Sequence, residues 1–268
     1  MTSTGSRSAK DIVIRPISAG DARRIIKRLH YSGRSVNNSQ VHLGVFLDGV
    51  CGGALQYGPS LDKRKLVGFV EGTLWHEFIE LNRLALADWL PRNSESRALS
   101  VSLKMLKREY PWLKWVISYA DATSCGDGTI YRAAGFDLTA IKRNVQIWAA
   151  PSGEQFAKMS LTHGAAAARN NGAASMRPYF DAGWRPLPGF QLRYIYFLDP
   201  AARARLTVPI LPYTEIARRG ASMYRGVAPA SSEAAPHPEG HGRGSTDPGA
   251  PPPLDNADAT PRIVPSNV

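Results

Sequence analysis

Cysteine is nearly missing: Cys51 and Cys125 are the only two in 268 residues. One pair with no CxxC spacing excludes a disulfide framework and fits a reducing compartment. No run of about 18 apolar residues occurs, so no transmembrane helix is expected. The N-terminus, MTSTGSRSAK, lacks the apolar stretch of a secretory signal. These absences point to a soluble, intracellular protein. Neither HxH nor CxxC occurs, so no metal site is read from spacing. From Gly226 onward there is no Phe, Trp or Tyr, and Pro, Gly, Ser, Ala and Asp dominate. Such a stretch cannot bury enough surface to offset its chain entropy. Residues 226–268 are therefore expected to be a disordered tail, and residues 1–10 a flexible N-terminus. One catalytic domain, residues 11–225, lies between them.

Acidic charge is also in short supply, and it is unevenly placed. The tail carries two arginines against five acidic residues, a net −3, which leaves +14 on the rest of a chain whose total is +11. A body that basic suggests a polyanionic partner, with nucleic acid first. Solubility alone is the bland alternative.

In chain order, residues 11–16 alternate as a first strand, and Asp21 can cap the helix that follows. Ala22, Ile25, Ile26 and Leu29 recur at helical spacing, with Arg23, Arg24, Lys27 and Arg28 on the wet face. That helix exits at His30-Tyr31-Ser32-Gly33, where a histidine can simply be stabilised by the helix dipole. Residues 41–46 and 51–57 form a hairpin through Asp48-Gly49. Lys63, Arg64 and Lys65 follow in a less patterned segment that is either a solvated loop or a phosphate-contacting one. Residues 76–86, HEFIELNRLAL, read as a central strand. Its Glu80, Asn82 and Arg83 need partners if buried; an internal Glu80–Arg83 salt bridge and a substrate contact by Arg83 are the two readings. Residues 92–97, RNSESR, open a long helix whose N-terminus can hold an anion on backbone N–H groups. Residues 136–141 and 144–149 read as a closing pair of strands. Residues 151–190 form a basic irregular insertion in which Arg169, Arg177 and Arg185 alternate with Tyr179, Phe180 and Trp184. That mixture suits backbone tracking and base stacking on DNA, or an ordinary surface loop.

The chain is organised around residues 115–136, WVISYADATSCGDGTIYRAAGF. A buried strand delivers Asp121 into a glycine-rich loop, and a short helix carrying Tyr131 closes it at Gly135. The YRAAGF ending resembles the last motif of the GNAT acyltransferase fold. Taken with HYS, ELNRL, NSESR and SYAD in order, it resembles the Mom-type adenine-modification proteins of bacteriophages over residues 12–213. The resemblance implies an α+β, GNAT-like fold with a mixed, mostly antiparallel sheet flanked by helices. It also implies an enzyme that adds a carbamoylmethyl (acetamido) group to the N6 amine of adenine in phage DNA, protecting it from host restriction in the bacterial cytoplasm. On the same ground it implies catalytic roles for His30, Tyr31, Arg83, Ser96, Asp121 and Tyr131, and a donor site at Ser94, Ser96 and Arg97. GNAT enzymes hold the pyrophosphate of coenzyme A at that helix N-terminus, usually on glycines. This loop has none.

Adenine N6 is a poor nucleophile because its lone pair is delocalised into the ring. An enzyme must extrude the base, orient the amine and accept a proton as the C–N bond forms. Asp121 at a strand end is the candidate acceptor and Tyr131 the candidate acid. The bland alternatives are a turn role for Asp121 and a packing role for Tyr131. The new bond is to a methylene carbon, which simple acetyl transfer does not make. Acetyl-CoA, a glycine-derived donor, and metal-assisted chemistry (iron, for example) through His30, Tyr31 and Asp121 all stay open. No motif pairs Cys125 with a base. Double-stranded DNA is the expected partner, with homodimerisation left open. The rival classes are a GNAT N-acetyltransferase of proteins or small amines and a non-enzymatic DNA-binding module.

Overall fold

The first strand, β1 (Val13–Pro16), buries Ile14 and leaves its other residues exposed. A 3₁₀ turn, Ala9–Asp11, precedes it, closed by a capping box from Ser8. In this computed structural model residues 7–60, 62–123, 126–162 and 175–222 are described. Arg169, Cys125 and the expected tail lie outside them.

Helix α1 (Ala19–Leu29) is capped by Ser18, not by Asp21. The Ser18 hydroxyl accepts from the Asp21 N–H at 3.0 Å and donates to the Asp21 carboxylate at 2.7 Å. A hydroxyl at the N-cap satisfies a helix N–H that would otherwise be orphaned, and Asp21 favours the positive helix end. On its buried side Ile26 packs against Ala54 and Ala85. Strands β2 (Val41–Leu47) and β3 (Val50–Gly58) are joined by Asp48 and Gly49, both at positive φ, as a two-residue hairpin requires.

The basic segment after β3 is structured: α2 (Lys63–Leu66) runs into a 3₁₀ turn. Strand β4 (Phe78–Leu86) follows, then α3 (Ser94–Glu109), which buries Ala98, Leu99, Leu103 and Leu106. Strand β5 (Trp115–Asp121) leads into α4 (Thr129–Ala133) and β6 (Asp137–Arg143). The insertion supplies β7 (Ile147–Ala149), β8 (Gln155–Ala157), α5 (Lys158–Thr162), α6 (Arg177–Asp181) and β9 (Arg185–Pro186). It returns through β10 (Phe190–Phe197), α7 (Pro200–Arg203) and α8 (Thr214–Arg218).

The main sheet has the order β1-β2-β3-β4-β5-β10-β6, and β8-β7-β9 form a small second sheet. Within the main sheet only β4 and β5 pair in parallel, so the expected mixed, mostly antiparallel sheet is present. The expected closing pair of strands is not. Strand β6 pairs with β10, and β7 pairs with β8 and β9.

The β4–β5 pairing decides where a site can form. It covers Phe78↔Trp115, Ile79↔Val116 and Glu80↔Ile117, and then stops. Residues 81–86 and 118–121 continue as strands without pairing to each other, so the sheet opens into a wedge. One sheet face is covered by the core that includes Leu99, Leu103 and Tyr131. The other carries Phe78, Trp115 and Ile195 under Leu66 and Val70, with α1 alongside on β3 and β4.

Candidate active site

The wedge is a cleft of about 500 Å³ between β4, β5, the exit of α1 and the start of α4. His30, Tyr31, Arg83, Asp121 and Tyr131 all line it. Five of the six residues singled out as catalytic are thus gathered from four elements. The sixth, Ser96, lines a neighbouring pocket.

Asp121 is the last residue of β5, and its two carboxylate oxygens have different duties. Oδ1 accepts the Thr123 N–H at 3.0 Å, the turn role that the sequence allowed. Oδ2 accepts the Tyr31 hydroxyl at 3.3 Å. Fixing one oxygen on the backbone leaves the other oriented toward the cleft with lone-pair capacity to spare.

His30 caps the C-terminus of α1. A dipole-stabilised imidazolium is not what the structure supports there. Burial, reinforced by the Arg83 charge, brings its pKa down to about 4. Desolvation disfavours the charged ring, and the nearby guanidinium adds to that. Its Nδ1 lies 2.8 Å from Ser32 Oγ and accepts the Ser32 N–H at 3.2 Å. Ser32 Oγ in turn accepts the Arg34 N–H at 3.4 Å, which frees its own proton for Nδ1. These bonds assign the neutral ring's proton to Nε2. The ring lies against Tyr31, centroids 4.3 Å apart.

Arg83 does not join Glu80 in a salt bridge. Its Nε donates to the Arg34 carbonyl at 3.2 Å and its Nη1 to the Asn82 carbonyl at 2.6 Å. The guanidinium thereby ties the loop after α1 to β4. Burial pushes its pKa down, while Tyr31, Glu80 and Tyr131 pull it back up. Burial raises the Glu80 carboxyl, against the pull of Ser60, Asn82 and Arg83.

Tyr131 is buried, and its hydroxyl lies 3.4 Å from the Tyr119 carbonyl. Its ring packs on Tyr194 and Phe136. Gly128, just before α4, has φ +83°, and a Cβ there would come within 2.5 Å of the Tyr194 ring. Only glycine lets the loop turn this closely over the aromatic floor.

A second pocket of about 460 Å³ lies between the α3 N-terminus and α4, lined by Arg92, Ser94, Ser96 and Thr129 among others. Asn93, at the N-cap, sits at φ 70° with no side-chain cap bond. The Ser94 hydroxyl is buried with no hydrogen-bond partner. Ser96 Oγ donates to the Asn93 carbonyl at 3.1 Å. Arg97 is exposed and does not line this pocket. Glu95, Thr129 and Ile130 line both cavities and so stand at their junction.

Several of the residues expected to meet DNA also make contacts within the chain. Arg177 pairs with Asp181 at 2.9 Å. Arg185 donates to the Phe180 and Trp184 carbonyls and stacks on Phe180 at 4.1 Å. Tyr179 and Trp184 pack on each other, 5.3 Å apart, which leaves Phe180 as the exposed aromatic of the three. Lys65 pairs with Asp62, and Lys63 lies over the Trp75 and Phe78 rings. Arg64 is exposed. Sequence reasoning passed over Tyr119 and Glu95. Tyr119 had a signal, since it lies two residues before Asp121 on a strand and therefore shares its face. Glu95 had none, because its place depends on how α3 meets α4.

Comparison with known proteins fits this geometry. Residues 11–215 match the model of the Mom protein family. The chain belongs to that family. A relative from Escherichia phage Mu, named Methylcarbamoylase mom, is 36% identical over 203 residues, covering 75% of this chain and 82% of that protein. Among solved structures, the ribosomal-protein-S18-alanine N-acetyltransferase of Escherichia coli has a TM-score of 0.39 at 12% identity, covering 70% of this chain and 94% of the other. The protein yncA of Salmonella typhimurium, solved with its cofactor acetyl-CoA, has a TM-score of 0.41 at 12% identity, covering 70% of this chain and 94% of the other. At those values the likeness decides nothing about donor or substrate. Among the described residues of this Mom-family chain, no helix is long and apolar enough to cross a membrane.

Proposed function

We propose that this chain is a DNA-modification transferase that adds a carbamoylmethyl group to the N6 amine of adenine, the modification by which phage DNA escapes host restriction. Membership of the Mom family and the name of the phage Mu relative support the reaction class. The observation that carries the reading is Asp121. Its Oδ1 is pinned on the Thr123 N–H and its Oδ2 meets Tyr31, at the point where β4 and β5 part.

An adenine extruded into the wedge brings its N6 amine to Asp121. N6 attacks the methylene carbon of the donor, the N6–CH₂ bond forms, and the bond from that carbon to the leaving group breaks. One N6 proton passes to Asp121 Oδ2, and the electron pair departs with the leaving group. Tyr131 is placed to protonate the leaving group, and Tyr31 holds Asp121 in line. Neutral His30, with its proton on Nε2, is a hydrogen-bond donor rather than a base, and Arg83 keeps the His30 loop against β4. General acid–base groups so placed contribute on the order of a hundredfold or more each.

The donor is assigned to the adjoining pocket, with its anionic part at the α3 N-terminus near Ser94 and Ser96. An acyl-CoA has the anionic part such a pocket suits, but it carries its leaving group on a carbonyl carbon. Simple acetyl transfer would leave a carbonyl carbon on N6, so the reaction needs a donor whose methylene carries the leaving group, a glycine-derived one included. Among the described residues no three His, Cys, Asp or Glu side chains cluster as a metal site. A set of His30, Tyr31 and Asp121 offers one imidazole, one phenol and one carboxylate, with His30 Nδ1 already bonded to Ser32.

The test is mass spectrometry of nucleosides from DNA of cells expressing the protein. Carbamoylmethyl-adenine is the expected product. Unmodified adenine together with acetylated protein would favour the N-acetyltransferase reading instead.

A further inference from the structure

One feature outside the cleft is built with unusual thoroughness. The turn between β6 and β7 is held on all sides by hydrogen bonds. Asn144 is buried, only 4% exposed, at its centre. Its amide nitrogen donates to the Ile147 and Leu187 carbonyls, both at 2.9 Å. Its side-chain oxygen accepts the Gln146 N–H at 2.9 Å and the Ile147 N–H at 3.1 Å. Its backbone N–H donates to the Gly189 carbonyl at 2.9 Å, and the Lys158 N–H donates to the Gln146 carbonyl at 2.7 Å. The Trp148 indole donates to the Val145 carbonyl at 3.0 Å. Every hydrogen bond named is made by backbone groups, by Asn144 or by Trp148, and the tip's two side chains, Val145 and Gln146, stay exposed. Val145 is 51% exposed, an apolar side chain held out in water by a rigid support.

Its location adds to this. Lys142 and Arg143, which lead into the turn, are exposed and form no ion pair with any described residue. Lys142 pairs with Gln191 in β10, and Gln191 pairs with Asp121 in β5. Residues directly opposite in antiparallel strands share a sheet face, and strands lie about 4.8 Å apart. Lys142 therefore projects from the same face as Asp121, about 10 Å across the sheet. The turn stands beyond it at the cleft end of the sheet.

We infer that the Val145–Gln146 tip is a wedge that enters the DNA stack to fill the place of the extruded adenine, with Lys142 and Arg143 on the flanking phosphates. This rests on the reading that duplex DNA is the substrate. Proteins insert apolar side chains between base steps to part the stack, and a base inside a duplex cannot reach a carboxylate lining a cleft without being extruded. A wedge must not bend under load, and the Asn144 network supplies that stiffness. Gln146 adds donor and acceptor groups for the base left unpaired.

The experiment uses the full chain and a duplex pool in which one 2-aminopurine, flanked by randomised bases, replaces adenine. This base brightens when it is unstacked. Wild type should bind and raise the fluorescence. Val145→Ala/Gln146→Ala, which leaves Asn144 and its bonds in place, should bind with similar affinity. Because unstacking is costly, its extruded fraction should fall about tenfold or more. Opposite an abasic site, where there is no partner to displace, the variant should recover the signal, which a misfolded protein would not do. A variant equal to wild type on the paired pool overturns the inference. So does a variant that binds but stays dark opposite the abasic site, and so does a wild type that binds duplex without brightening it. A wild type that fails to bind duplex DNA at all overturns the DNA reading itself.

Discussion

The Tyr31 hydroxyl donates to Asp121 Oδ2 at 3.3 Å, joining residues 90 positions apart in the chain. One is the second residue past α1 and the other is the last of β5. They meet because β5 parts from β4 after Ile117, leaving room for the helix exit to reach the strand end. Asp121→Asn keeps the shape and the Thr123 bond but removes the proton acceptor. Modified adenine per genome should fall by about a hundredfold or more, with the melting temperature nearly unchanged. Retention of wild-type modification by a folded Asp121→Asn protein would misplace the site.

Tyr131→Phe separates chemistry from packing. The hydroxyl's bond to the Tyr119 carbonyl is long, at 3.4 Å, and the ring contacts with Tyr194 and Phe136 survive the change. Stability should drop by no more than about 1 kcal/mol. If the hydroxyl serves the leaving group, modification should drop by tenfold or more, in line with loss of a positioned acid. Equal, small losses in both would return Tyr131 to a packing role.

Much of this site was legible in the sequence, for identifiable reasons. His30, Tyr31, Arg83, Asp121 and Tyr131 lie in short ordered motifs, and their convergence on one cleft follows from the strand order. What failed were features decided by side chains competing for the backbone. The stretch at 144–149 alternates like a strand, yet Asn144 takes the N–H groups of Gln146 and Ile147 and turns the chain away from β6. Composition alone did not give the contacts Arg177 and Arg185 make inside the chain, to the Asp181 carboxylate and to the Phe180 and Trp184 carbonyls. Ser18 and Asp21 are both good caps, and only the observed helix start chooses between them.

His30 gives a pH prediction with a definite sign. Its ordinary pKa of 6.5 is brought down to about 4 in the folded chain. Between those values the unfolded chain binds the proton and the folded one does not. Its contribution to stability is therefore fully present above about pH 6.5 and is lost as pH falls through about 4. His30→Gln should flatten the loss of stability in that window. A ring titration by NMR with a midpoint near 6.5 would refute the burial argument.

Arg83→Ala should cost stability as well as activity. The change removes two charge-assisted bonds, to the Arg34 and Asn82 carbonyls, and leaves the His30 loop untied from β4. Bonds to charged groups are worth about 1.5–3 kcal/mol each, so a clear fall in melting temperature is expected. Arg83→Lys should recover part of the stability but little activity, since an ammonium cannot span both carbonyls with the fixed fork of a guanidinium. Melting curves read beside modified adenine for the pair would expose a purely structural role, in which the two readouts recover together.

Ser94 and Ser96 offer a contrast at the α3 N-terminus that tests the donor pocket. The Ser94 hydroxyl is buried and has no partner, so the protein bears the cost of desolvating it. Removing a buried hydroxyl that bonds to nothing relieves that cost, and Ser94→Ala should match or exceed wild type in stability. The Ser96 hydroxyl donates to the Asn93 carbonyl at 3.1 Å across the first turn, and Ser96→Ala should lose a few tenths of a kcal/mol to about 1. If the pocket holds the anionic part of the donor, the rank order in activity reverses. The unpartnered group is the one waiting for a ligand, and Ser94→Ala should lower modification more than Ser96→Ala does. The decisive measurement is modified adenine per genome against melting temperature for both variants. A Ser94→Ala protein that is more stable and fully active would remove the donor from this helix end.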